Sequence, residues 1–308
     1  MSKLLNVTSS PHIRHEDSTR GIMIDVIIAL LPAAIYGCIL FGLNAALVII
    51  TTVITAVASE ALWNLALKKQ QTIGDFSAVL TGLLLGMNLS SQTPLWIAAI
   101  GSVGAIIVVK QMFGGLGQNF MNPALAARCF LLISFTGRMT TFVYDGVTGA
   151  TPLALLKYGE NVNLMDMLIG NEAGTIGETS MIAILIGACI LLYVGAIDLK
   201  IPGSYLVTFV IFLVVFSGRG FDLTYISAQL AGGGLMLGAF FMLTDYTTSP
   251  MTKQGQIIYA VLAGLITTVI RLYGGYPEGV SYSILFVNVM TPIIDKYTKN
   301  KVFGEVSK

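Results

Sequence analysis

One apolar run follows another along this chain, and that pattern limits the fold more than any motif. A spanning helix takes roughly 20 mainly apolar residues, and about ten candidates begin near residues 22, 44, 76, 94, 122, 181, 203, 226, 255 and 280. With 55% hydrophobic and only 11% charged residues, the solvent this sequence is written for is mostly lipid. The expected fold class is therefore an all-α polytopic membrane protein. A composition this apolar does not lead one to expect nucleic acid as a partner, and a net charge of +1, with no basic or acidic block beyond the lysines near the C-terminus, carries no message about an acidic substrate. Cys38, Cys129 and Cys189 each lie in an apolar run with no C-x-x-C spacing, so neither a disulfide framework nor an iron–sulfur site is encoded. The opening M-S-K-L-L-N-V-T-S-S-P has no apolar h-region and does not read as a signal peptide.

Charge placement orients the spans. With the N-terminus in the cytoplasm, Lys3, Arg14, Arg20, Lys68, Lys69, Lys110, Arg128, Lys200, Lys253, Lys296, Lys299, Lys301 and Lys308 fall inside, while Arg138, Lys157, Arg219 and Arg271 fall outside. That bias follows the positive-inside rule and predicts cytoplasmic termini in a cytoplasmic membrane. The chain divides into a cytoplasmic segment (1–21), a first five-helix unit (22–136), an extracytoplasmic loop (137–180), a second five-helix unit (181–295) and a cytoplasmic tail (296–308).

The two units echo each other. Gly82-Leu-Leu-Leu-Gly86 is matched by Gly234-Leu-Met-Leu-Gly238, and each is followed by a polar stretch ending in proline, at Pro94 and Pro250. Phe113-Gly114-Gly115 after Lys110 is matched by Tyr273-Gly274-Gly275 after Arg271. Five spans per unit is an odd number, so the second copy inserts upside down, which predicts two inverted five-helix repeats. The paired glycines suit close helix packing, and packing is favoured over substrate contact for them.

The loop between the units holds D-G-V-T-G-A-T, Asp145 to Thr151, ahead of Pro152. By residue chemistry alone this is an accessible turn in which Thr148 or Thr151 caps a helix, because Asp, Gly and Thr are turn residues. A hydroxyl among small residues also suits a modifying enzyme, and Asp145 is placed to bind a metal or orient a phosphate. The string resembles D-x-x-[S/T]-G-A-T, the acceptor motif of flavin transferases, with Asp145, Thr148, Gly149, Ala150 and Thr151 matching position by position. Three more stretches, Ser10–His15 with Ile22–Ala34, Gly114–Ala124 and Phe241–Pro250, resemble the D subunit of the Rnf complex, an ion-translocating ferredoxin:NAD⁺ oxidoreductase. The resemblance runs the length of the chain. It fits less well the related B subunit of the Na⁺-translocating NADH:quinone reductase, which has a longer N-terminal region.

What the resemblance implies is an electron-transfer subunit carrying FMN esterified to Thr151, with riboflavin as a further, non-covalent flavin. Implied partners are the other membrane and peripheral subunits, including a second covalent flavoprotein subunit, and a flavin transferase for maturation. Electron flow between ferredoxin and NAD⁺ would be coupled to Na⁺ or H⁺ movement in the complex, so this chain would not be catalytic alone. It has no Rossmann fingerprint in a strand–helix context and is not itself expected to bind NAD. Two other readings stand beside this one, a subunit of an Nqr-like quinone reductase and a channel or secondary transporter in which the threonine motif is incidental.

Four further residues are candidates for a second flavin or an ion pathway. Asp245 is an ionisable group near membrane depth, suited to a cation or a flavin, or else a loop aspartate capping the next helix. Arg128, inside an apolar helix, is expected to meet Asp245 or an anionic cofactor group or, as the favoured reading, to snorkel to the inner surface. Asn119 and Asn122 precede a helix start and suit a polar ligand or capping. His12 and His15 lack a third ligand and suggest no metal site.

Overall fold

The computed structural model describes residues 18–160, 162–275 and 278–298. His12 and His15, with the Ser10–His15 part of the resemblance, lie outside them. Two long helices open the chain, α1 (Thr19–Phe41) and α2 (Leu43–Ala66). Next come α3 (Ser77–Met87), α4 (Leu95–Val103, continued by a π-helical stretch Gly104–Gln111) and α5 (Pro123–Ser134). The short α6 (Thr136–Met139), strands β1 (Val143–Tyr144) and β2 (Val147–Thr148), α7 (Pro152–Lys157) and α8 (Leu164–Ile169) form the connecting segment. After it run α9 (Met181–Val194), α10 (Lys200–Phe216), α11 (Leu223–Ala231), α12 (Leu235–Leu237, continued by π-helical Gly238–Met242), α13 (Lys253–Tyr273) and α14 (Val280–Tyr297).

Among the described residues, only α1, α2 and α13 are long and apolar enough to cross a membrane unaided. A fourth candidate is α11 with α12, bent by 64° at the break between them. The helices start close to the expected positions, but most are shorter than a span because polar residues interrupt them. One departure from all-α is the antiparallel β1–β2 hairpin, which pairs Val143 with Thr148 and Tyr144 with Val147. Its turn is Asp145-Gly146, with φ of 50° and 75° at the two positions. That is the two-residue turn whose positive φ values favour Asp-Gly between short strands.

Packing rests on small residues. A Cβ on Gly187 would overlap the Ala29 carbonyl oxygen, so α1 and α9 cross almost in backbone contact. Gly82 and Gly86 would likewise strike Val53 and Thr52 of α2, and Gly238 would strike Val280 of α14, so these three bear out the packing reading. At the far end of α3 the chain 176–177 lies against the helix terminus. Ile176 N donates to Leu89 O at 3.0 Å, and Gly177 N to Met87 O at 2.8 Å. This tether carries Glu178 into the interior, where it is 6% exposed.

Candidate functional site

Thr151 lines a cavity of about 310 Å³. Its backbone is extended (φ −66°, ψ 151°), it caps α7, and its Oγ1 accepts from Ala154 N at 3.4 Å. That is long for a capping bond, so the hydroxyl is only loosely engaged. Of the two capping candidates the structure selects Thr151; Thr148 lies in β2 and is exposed. Gly149 and Ala150 line the same cavity, whereas Asp145 sits in the exposed hairpin turn and contributes nothing to the lining. The opposite walls come from Asn88 beyond α3, Phe142, Tyr158, Ser281 and Tyr282, and from Arg128 of α5.

Arg128 does not snorkel. It is 6% exposed, and Asp245 is not among its partners. Its Nη1 donates to Ser281 Oγ at 2.7 Å and lies 3.2 Å from Glu178 Oε1, while Nη2 bonds Glu278. The physical reason is the one that made it conspicuous in the sequence: a guanidinium inside an apolar helix must be paired or reach water, and two carboxylates from the polar connections reach it first. Because it faces the same cavity as Thr151, it belongs on that side of the molecule, not the opposite one. Arg271 is buried on the same side at 3% exposure. It donates from Nη2 to Gly232 O (2.9 Å) and Gly233 O (3.0 Å), and from Nε to Glu278 O (3.0 Å). The two glycine carbonyls are freed by the α11–α12 break, so the arginine replaces the helix bonds lost there.

The other ionisable candidates gather elsewhere. Asn119, Asn122 and Asp245 line a second cavity of about 80 Å³, together with Lys110, Thr81 and Phe241. The Asp245 carboxylate accepts from Thr247 N (3.1 Å) and Thr247 Oγ1 (2.9 Å), holding its own turn. It does not cap the next helix, because Thr252 does so by accepting from Gly255 N. Asn122 caps α5, accepting from Ala124 N at 3.1 Å and Leu125 N at 3.3 Å. Asn119 donates to Met121 O and Thr247 Oγ1, while its Oδ1 is buried without a partner among the described residues. Only a thin wall separates the cavities. Leu84 lines one and Asn88 the other, as do Ala124 and Arg128, so along α3 and α5 the wall is a single turn, roughly 6 Å.

Glu178, Glu278, Lys110 and Glu60 do not stand out as site residues in the sequence. Lys110 and Glu60 are 2% and 0% exposed, with Nζ 2.8 Å from Oε2. Lys110 Nζ also donates to Ser77 Oγ at 2.6 Å, and Thr72 Oγ1 donates to Glu60. A signal was available. A cation within an apolar run requires a buried carboxylate, and Glu60 inside the second run and Glu178 at the edge of the sixth are isolated acids of that kind.

Outside the helical spans, Glu172 lies between α8 and α9, its Oε2 buried without a partner among the described residues. Burial, and secondarily the charge of Asp166, push its carboxyl up to about 8 from an ordinary 4.5. The folded chain thus favours the neutral acid. The contribution is complete below about pH 4.5 and is lost as pH rises through about 8. Amide exchange in 170–180 is expected to accelerate over that window beyond the intrinsic rate, and Glu172→Gln is expected to abolish the excess. An unchanged pH profile in the variant would refute the assignment.

Comparison with known proteins agrees with the resemblance. The model of the NQR2, RnfD, RnfE family matches residues 6–304. The chain is 53% identical to the D subunit of the Na⁺-translocating ferredoxin:NAD⁺ oxidoreductase complex of Acetobacterium woodii, covering 97% of this chain and 95% of that one. It is 43% identical to the D subunit of the proton-translocating ferredoxin:NAD⁺ oxidoreductase complex of Clostridium ljungdahlii, over 98% and 96% of the two chains. It is 34% identical to the D subunit of the ion-translocating oxidoreductase complex of Citrobacter koseri, over 98% and 99%. The chain belongs to the NQR2, RnfD, RnfE family.

Proposed function

We propose that this chain is the membrane electron-transfer subunit of an ion-translocating ferredoxin:NAD⁺ oxidoreductase complex, carrying FMN as a phosphoester on Thr151. The observation that carries the reading is the position of Thr151: a loosely bonded hydroxyl in the lining of a cavity whose walls also hold one buried arginine, Glu278 and three aromatic side chains. At about 310 Å³ it falls at the low end of small-molecule sites. The lining suits a flavin ring, with hydroxyls and an amide for the ring edge and aromatic and apolar faces for the ring itself, while the Arg128 charge is countered by Glu278 in the same wall. When bound, the flavin supplies electron exchange with a redox partner on that face.

The chain's residues do the rest. Leu132, Met139 and Phe142 exclude water from the wall, Ser281 and the carboxylates fix Arg128, and Pro152 starts α7 immediately after the acceptor, fixing the backbone there. The second cavity, around Asn119, Asn122 and Asp245, is a separate polar space of about 80 Å³, and we assign it no flavin.

The reading includes ten spans in two inverted five-helix units, cytoplasmic termini and an extracytoplasmic Thr151. It is supported by ten helical segments near the expected starts, by interruptions at 88–94 and 232–234, and by cavities at opposite ends of α3 and α5. Relatives named as D subunits of ferredoxin:NAD⁺ oxidoreductase complexes favour an Rnf-type assembly over a quinone reductase. Protein purified from cells co-expressing a flavin transferase, denatured and run on a gel, is expected to fluoresce under ultraviolet light. A dark band, where a control acceptor glows, would shift the reading to a transporter without a redox role.

A further inference from the structure

We infer that Glu178 and Glu278 are positioning residues that hold the Arg128 guanidinium in the cavity wall and set the charge that a group on Thr151 meets. The inference rests on the flavin reading above and adds to it a means of tuning. Arg128, Glu278 and Ser281 all line the cavity. Glu178 lies behind them, in a smaller space it shares with Thr151, Pro152 and Gly233. Its place there is made by Gly234, which has a φ of +64° and whose Cβ, if present, would overlap Glu178 Oε1. Glycine meets both demands without strain, so the break between α11 and α12 and the seat of Glu178 are linked.

The arrangement holds charge in place more than it adds stability. Buried ion pairs are often no more stabilising than apolar residues of the same shape, yet here two carboxylates converge on one guanidinium, and Arg271 secures the backbone of Glu278 from the other side. Arg128 favours an added electron in the cavity, and each ionised carboxylate opposes it, by the Coulomb interaction of unit charges. Removing a carboxylate therefore leaves Arg128 less compensated, and removing Arg128 leaves the carboxylates in excess.

The test is the midpoint potential of the covalent flavin in the purified full-length protein. Burial, partly offset by Arg128, pushes the Glu178 carboxyl up to about 7. Above that pH Glu178→Gln is expected to raise the potential, making reduction about tenfold more favourable, and Glu278→Gln, at a partly exposed side chain, is expected to move it the same way. Arg128→Gln is expected to lower it, and Glu178→Asp to stay near the parent. A merely structural role would shift all three neutral variants in one direction. Flavin retained with unmoved potentials, or with Arg128→Gln and Glu278→Gln shifted alike, overturns the inference alone. A parent protein without covalent flavin overturns the reading of Thr151 and the inference with it.

Discussion

Replacing Lys110 by methionine is expected to destabilise the protein by about 3–5 kcal/mol, the cost of leaving a buried carboxylate without its cation. Glu60 is fully buried on α2, and Lys110 reaches it from the π-helical end of α4. Removing the ammonium leaves Thr72 as the carboxylate's remaining donor among the described residues and strips Ser77 Oγ of the one it accepts from. The loss should appear as a lower melting temperature in detergent. Adding Glu60→Leu to the same chain should recover most of it, because replacing both ends of a buried pair by apolar groups is often neutral. A single variant as stable as the parent would show that the pair contributes nothing to holding α2 and α4 together.

Replacing Thr151 by valine is expected to remove the covalent flavin entirely while leaving helix content unchanged. Valine keeps the shape but lacks the hydroxyl that forms the ester. The structural loss is one long capping bond at the start of a six-residue helix, worth about 1 kcal/mol or less. In-gel fluorescence and far-ultraviolet circular dichroism measured together separate the effects. Undiminished fluorescence in Thr151→Val would mean that another residue is the acceptor. Thr151→Ser, which keeps a hydroxyl, is a control for the loop.

Much of this molecule is legible as a succession of apolar runs. The starts of α1 to α5, α9 to α11, α13 and α14 fall within three residues of the positions that hydropathy gives. The short helices are harder. α3 stops at Asn88, whose side chain satisfies the Leu84 carbonyl at the interruption, and hydropathy averaging runs through such an end without registering it. The Asp145-Gly146 hairpin is present in the sequence as a two-residue turn signal between V-Y and V-T, but the acceptor motif overlaps it and masks that pattern.

The site is only partly legible, for a reason of distance. Thr151 is local: its motif and the following proline place it on an accessible turn without reference to the rest of the chain. Arg128 is not. Its partners Glu178 and Glu278 lie 50 and 150 positions away in sequence, and composition cannot say which carboxylate will be brought to it. The snorkelling expectation followed helix position and neglected that a paired guanidinium needs no route to water. Asp245 and Arg128 read as natural partners by charge, yet the wall between the cavities keeps them apart.

The role given to the larger cavity depends on one bond, the ester at Thr151, and the mass of the peptide that contains it decides whether that bond exists. Protein co-expressed with a flavin transferase is digested, and the peptide spanning Thr151 is sequenced by tandem mass spectrometry. An increment equal to FMN less one water, localised to Thr151 and absent from Thr148, is the expected outcome. An unmodified peptide, under conditions where a control acceptor carries the adduct, would contradict it.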